Sequence, residues 1–164
     1  MYYHRARPVT RGMTRKQATS RNKKDKRALV RNGRSHATLV YDRENLAGWC
    51  QYGPKEELPR IDAGRNYKNL DPLPSEQKLW RITCFYVNRS YRKQGVARTA
   101  LKGALESIKR QGGGIVEAYP VVSTKMAANP ELLWFGTPKM FHREKFKQVA
   151  PLGTSLALMR RTIK

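Results

Sequence analysis

Residues 79–119 decide the fold. They read LWRITCFYV over 79–87, NRSYRKQ over 88–94, GVARTALKGALESIKR over 95–110, QGGG over 111–114 and IVEAY over 115–119. The first run is rich in aromatic and β-branched residues and predicts a strand, Leu79–Val87. In the third run Ala97, Ala100, Leu101, Ala104, Leu105 and Ile108 recur at spacings of three and four, one face of a helix from Gly95 to about Arg110. Arg98, Lys102, Lys109 and Arg110 fall mostly on the other face. Gly112, Gly113 and Gly114 end the helix, and Ile115–Tyr119 predicts a second strand closed by Pro120. A strand, a helix and a strand in this order predict two parallel strands joined by a crossover helix.

Outward from this unit the signals are shorter. Asn22 to Asn32 predicts a basic helix with Ser20 or Asn22 as its cap and Gly33 as its stop. His36–Tyr41 and Leu46–Tyr52 predict a hairpin around the polar turn Asp42–Asn45. Residues 53–78 read as a long loop with a helical turn near Glu56–Ile61. Ser123 to Trp134 has room for a short helix. Pro138–Lys145 predicts a helix, and Lys147–Val149 and Ser155–Arg160 two closing strands.

Composition bounds what such a chain does. With 164 residues it has room for one sizeable core. No apolar run approaches the roughly 18 residues of a membrane span. Two cysteines, Cys50 and Cys84, exclude a disulfide scaffold; both fall in predicted strands, as small buried hydrophobes do. The opening residues lack the apolar core of a secretory signal, so a reducing cytoplasm is the expected location. His4, His36 and His142 show no metal-ligand spacing, and no metal is expected. The net charge is +22, and residues 1–36 hold twelve Lys or Arg against one acid, Asp25. Residues 1–27 are therefore expected as a basic, flexible N-terminal segment and residues 28–164 as the domain. The segment's charge suits a salt-dependent contact with a polyanion such as RNA, a ribosome or an acidic protein, or else a solvated tail.

The chemistry is expected in Tyr91-Arg-Lys-Gln-Gly-Val-Ala97. A loop entering a helix points N–H groups outward with no intrahelical partner, and with the helix dipole they form an anion site. Gly95 lets backbone approach a diphosphate, and Arg92 and Lys93 add charge there. Neither the three glycines of a dinucleotide fingerprint nor the Gly-Lys-Ser/Thr of a P-loop is present.

The strand Ile82–Val87, then Arg92-x-x-Gly95-x-Ala97, then the amphipathic helix resemble motif A of the GNAT superfamily of N-acetyltransferases. Gly48–Gln51 with Gly53-Pro54, Cys84–Val87, Val116–Pro120 and Gly136–Phe141 are similar to a bacterial subgroup of mostly unassigned substrate. The resemblance spans roughly residues 28–160. It implies an α+β fold: a mixed, mostly antiparallel sheet with flanking helices and a splayed parallel pair at about 80–87 and 115–119. It implies acetyl-CoA as cosubstrate, its pantetheine arm against Phe85, Tyr86 and Val87 and its pyrophosphate on Arg92, Lys93, Gln94, Gly95, Val96 and Ala97. Asn129 falls where many members set a side chain against the arm. Members often pair as homodimers, though no residue here marks such a contact.

Two departures from the family pattern matter. Many members carry a Tyr as general acid toward the leaving thiolate where this chain has Phe141, and the residue before Phe146 is Lys145 rather than Gly. The superfamily's opening strand and helices are poorly matched by residues 1–27. Direct transfer to a primary amine needs a group to take a proton. Glu117, mid-strand in an apolar run, is the candidate base, and Tyr119, on the same face by alternation, the candidate acid or positioning group. The competing reading pairs Glu117 with an arginine in a structural role. Glu56 and Glu57 are second candidates, and a Cys84 nucleophile is disfavoured because direct transfer needs none. The sequence thus points to an acetyl-CoA-dependent N-acetyltransferase of unknown amine acceptor. The alternative is a catalytically weak GNAT-fold module that binds CoA, nucleic acid or the ribosome.

Overall fold

A computed structural model describes residues 3–5, 12–70 and 77–164. Helix α1 spans Arg15–Arg31, β1 His36–Asp42, β2 Asn45–Pro54, α2 Arg65–Lys68, β3 Leu79–Val87, α3 Val96–Arg110, β4 Gly114–Ala118, α4 Thr124–Ala127, α5 Pro138–Arg143, β5 Lys147–Leu152 and β6 Leu156–Ile163. The six strands form one sheet in the order β1-β2-β3-β4-β6-β5. Among the described strands only β3 and β4 pair in parallel; the other neighbours are antiparallel. This is the mixed sheet with flanking helices that the sequence predicts.

The central unit forms for the reasons read from its pattern. Ala100, Leu101, Ala104, Leu105 and Ile108 are the buried face of α3, and each large side chain there contributes about 1.5–3 kcal/mol by leaving water. They pack on Cys50, Tyr52, Trp80, Ile82, Phe85, Val116 and Ala118 of the sheet. The Tyr52 hydroxyl donates to Ser107 Oγ at 2.6 Å and ties β2 to α3. Gly112 and Gly113 take positive φ, and the Gly113 N–H closes the helix on the Ile108 carbonyl. The opposite sheet face carries a second cluster of Tyr3, Leu58, Tyr119, Val121, Phe135 and Leu158.

The N-terminal region differs from its reading as a short helix. Helix α1 begins seven residues earlier than Asn22 because Thr14 and Gln17 form a reciprocal capping box. It buries no residue. It runs through position 27, and Tyr3 ahead of it is 1% exposed with its ring edge-on to Phe135 at 5.9 Å. Of the twelve N-terminal cations, Arg7 and Arg11 lie outside the described residues, as do positions 71–76 of the long loop. That loop holds a 3-10 turn, Lys55–Glu57, at the expected helical turn, and also α2.

Candidate active site

The site is a fork in the sheet. β3 and β4 are in register at Leu79–Ile115, Trp80–Val116, Arg81–Glu117 and Ile82–Ala118, and there the pairing stops. On the other side β2 follows β3 to Val87, but its register jumps: Tyr52 faces Ile82 and Gln51 faces Cys84, leaving Thr83 as an extra residue. Such a bulge bends and twists its strand. It falls where β4 is lost, so residues 83–87 present one open edge inside the sheet. β4 ends into Tyr119 and Pro120, and Val121 bridges Leu156 instead. Thr83 is fully buried, and its Oγ1 has no partner among the described residues.

The fork's residues divide by face. Phe85 is buried against Phe141 at 6.0 Å, whereas Tyr86 is 47% exposed and stacks on Trp49 at 6.1 Å. Val87 is half-buried. Gly48 sits opposite Val87, and a Cβ there would meet the Tyr86 carbonyl oxygen at 2.5 Å and Val96 Cγ1 at 2.8 Å. The missing side chain brings β2, the end of β3 and the start of α3 together.

Beyond Val87 a 3-10 turn, Arg89–Tyr91, capped by Asn88, delivers the chain to Arg92. Lys93 adopts φ 64°, a left-handed conformation that costs a non-glycine residue roughly 1–2 kcal/mol. Gly95 follows with φ 83° as the N-cap of α3, and no side chain caps the helix. Left-handed residues beside a helix start turn successive N–H groups to one side, a concavity suited to an anion. A Cβ on Gly95 would meet nothing within 4 Å among the described residues. Arg92, Lys93, Gln94 and Gly95 are exposed, and Val96 and Ala97 half-buried. The open strand edge, the orphaned Thr83 hydroxyl and this uncapped start fit an extended amide-bearing arm ending in a diphosphate. Asn129 stands exposed where α4 ends.

Glu117 is 0% exposed and heavily engaged. Its Oε2 accepts from the Tyr67 hydroxyl at 2.7 Å and the Tyr119 hydroxyl at 2.9 Å, and its Oε1 from Arg160 Nε at 2.9 Å. Arg81, also 0% exposed, lies 3.9 Å from Oε2. Its guanidinium grips both Asp62 oxygens at 2.7 Å and donates to the Leu58 carbonyl and to the Tyr67 hydroxyl. Burial pushes the Asp62 carboxyl up, but the Arg81 hydrogen bonds and charge outweigh it and hold the group below its usual range. Burial and then Glu117 raise Tyr67 to about 12, and burial with the Glu117 charge holds Tyr119 well above its ordinary value. Both phenols therefore stay protonated donors.

Sequence reasoning found Glu117 and Tyr119 but missed Arg81, Asp62, Tyr67 and Arg160. Arg81 carried the same signal as Glu117, a charge inside an apolar strand. Phe141 is fully buried between Phe85 and Phe146 and supplies no proton. Burial pushes the Cys84 thiol up to about 11, which keeps it from thiolate chemistry. Glu57 lies 3.2 Å from His36 Nε2, and Glu56 is exposed. Among the described residues no group of three or more metal-ligating side chains gathers, and no helix is long and apolar enough to cross a membrane.

Comparison with known proteins agrees with this geometry. Residues 3–130 match the family model described as Acetyltransferase (GNAT) family. A comparison with curated protein sequences finds no match. Among solved structures, a GNAT-family acetyltransferase of Desulfovibrio desulfuricans superposes with a TM-score of 0.59 at 16% identity, covering 99% of this chain and 91% of that one. A ribosomal-protein-alanine N-acetyltransferase of Brucella melitensis gives 0.55 at 14% identity, covering 89% and 78%. A Salmonella typhimurium acetyltransferase described with its cofactor acetyl-CoA gives 0.55 at 12% identity, covering 90% and 74%. The forked sheet, the motif at its mouth and the family match over most of the chain agree: this protein belongs to the GNAT acetyltransferase family.

Proposed function

We propose that the protein transfers the acetyl group of acetyl-CoA directly to a primary amine. The observation that carries this is the one-sided end of β3 running into the uncapped, left-handed start of α3. The thioester supplies an acyl carbon open to amine attack and a thiol that leaves at a pKa near cysteine's, about 8.5. The backbone of Phe85, Tyr86 and Val87 pairs with the arm, and Arg92 to Ala97 with Asn129 hold its phosphate end and flank. Backbone N–H at the bulge faces the developing oxyanion. Glu117 is wholly buried, with its oxygens occupied by three donors. We assign it, with Tyr119, to positioning the β4 side of the fork rather than to proton abstraction.

The acceptor's class rests on charge. Arg15, Lys16, Arg21, Lys23, Lys24, Arg27 and Arg31 of α1 are exposed, and Asp25, the helix's one acid, pairs with Arg5. This surface favours an amine carried on an RNA-bound or acidic partner. The similarity to the Brucella melitensis ribosomal-protein-alanine N-acetyltransferase supports a ribosomal protein as acceptor. A cytoplasmic location and a homodimer complete the reading. The buried Phe141 favours a second one, a CoA-binding module of weak turnover.

Calorimetric titration with acetyl-CoA tests the proposal, with Arg92→Ala alongside. Micromolar binding lost in the variant supports it. A folded protein that does not bind at millimolar acetyl-CoA overturns it, and binding without transfer to any amine favours the second reading.

A further inference from the structure

His4 gathers a polar cluster that the family machinery does not use. Its Nδ1 lies 2.8 Å from the Glu57 carbonyl oxygen. A carbonyl only accepts, so Nδ1 carries the proton and Nε2 a lone pair. That lone pair faces Lys26 Nζ at 2.9 Å, Gln51 Nε2 at 2.8 Å and Ser35 Oγ at 3.4 Å. An amine is thus held against an imidazole acceptor whose far side is fixed.

The cluster lies beside the fork. Gln51 is 6% exposed and is the cross-strand partner of Cys84, the first residue past the bulge. Paired residues on neighbouring strands share a face, and Lys26 and Gln51 meet across one ring nitrogen. Lys26 is the α1 cation turned toward the sheet, whereas its neighbours Lys23, Lys24 and Arg27 are exposed. Burial lowers it to about 8, so a useful fraction is neutral near neutrality.

We infer that Lys26 is itself an acetyl acceptor, modified in cis from acetyl-CoA, with His4 Nε2 positioning its amine. This rests on the acetyl-CoA reading above. The neutral Nζ attacks the thioester carbonyl carbon; the C–N bond forms as the C–S bond breaks; the electron pair leaves on the CoA sulfur; and the nitrogen's surplus proton goes to that sulfur, which departs as the thiol. The product is a neutral amide that carries no positive charge at the fork.

The test incubates the full chain with acetyl-CoA alone, follows intact mass and maps the modified peptide, with acetyl-CoA binding measured by calorimetry in parallel. The expected result is one acetyl group on Lys26 at a rate independent of protein concentration. Lys26→Arg loses it, Lys23→Arg keeps it, and His4→Gln slows it without loss of acetyl-CoA binding. Binding with no acetyl group on Lys26, or acetyl groups spread over the exposed lysines, overturns the inference alone. No binding overturns it together with the reading on which it rests.

Discussion

Arg160 and Glu117 face each other across the β4–β6 ladder, and Arg160 Nε donates to Glu117 Oε1 at 2.9 Å. The carboxylate is thereby placed between two arginines, one wholly buried and one 21% exposed in its side chain. Removing one member of a buried pair strands the other, at a cost of about 3–5 kcal/mol. Glu117→Ala is expected to lose stability on that scale in urea unfolding, and Arg160→Ala less, because Tyr67, Tyr119 and Arg81 remain. Glu117→Gln is expected to leave the shape of the pH–rate profile unchanged. Loss of the alkaline-rising limb in that variant would restore Glu117 as the proton acceptor.

Lys93 and Gly95 separate strain from binding. Replacing left-handed Lys93 with Gly is expected to raise stability by roughly 0.5–1 kcal/mol, since the relief exceeds the added unfolded-chain entropy. The same change removes a cation from the loop and is expected to weaken acetyl-CoA binding about fivefold, a surface-charge effect. Gly95→Ala is expected to cost about 1–2 kcal/mol from its φ of 83° alone, since nothing crowds the position. Thermal unfolding and calorimetry on the three proteins check this. Higher stability with unchanged affinity in Lys93→Gly would remove that side chain from the anion site.

His4 sets an acid limit. Burial, then the charge of Lys26, lower its ring to about 4, with Arg34 and His36 adding to the effect and the Glu57 carbonyl opposing it. Ser35 and Gln51, which also contact the ring, are neutral. The unfolded ring binds its proton near pH 6.5 and the folded one only near 4. Stability is therefore full above about pH 6.5 and falls as pH drops toward 4. His4→Gln is expected to flatten that slope in urea midpoints taken between pH 7 and 4.5. An unchanged slope would show that His4 is protonated without penalty.

Thr14 is a local lock. Thr14→Ala is expected to cost about 1 kcal/mol of helix stability. Because α1 buries no residue, the loss is expected as faster amide exchange in its first turn rather than as a shifted global midpoint. A large drop in the unfolding midpoint would mean that α1 folds with the core.

How far the sequence could be read followed from burial. β3 is buried over most of its length, and α3 has a clean apolar face, so each was legible to within a residue. The start of α1 was not, because the helix has no apolar stripe and only Thr14 and Gln17 mark it. Four-residue α2 is too short to show a period. At the site, Gly95 was legible as the opening of a helix, and Glu117 as a charge out of place. The cluster on His4 was not, because Lys26 and Gln51 reach it from 22 and 47 positions away. Asp62 and Tyr67 come to Arg81 from an aperiodic loop. Such meetings are made by topology, and no local pattern encodes them.

The β3–β4 ladder ends at Ile82–Ala118, so residues 83–87 have no strand on that side, and a strand edge of that kind has graduations. Backbone groups along a strand recur about every 3.3 Å, with alternate ones facing each side. On the acetyl-CoA reading proposed above, an arm lying there would be measured against that ruler, as a neighbouring strand would be. Discrimination among acyl carriers then follows from the interval between their amides more than from any side chain. A carrier lengthened by one methylene between its amides is expected to fall out of step with β3 even where its phosphates still reach the loop.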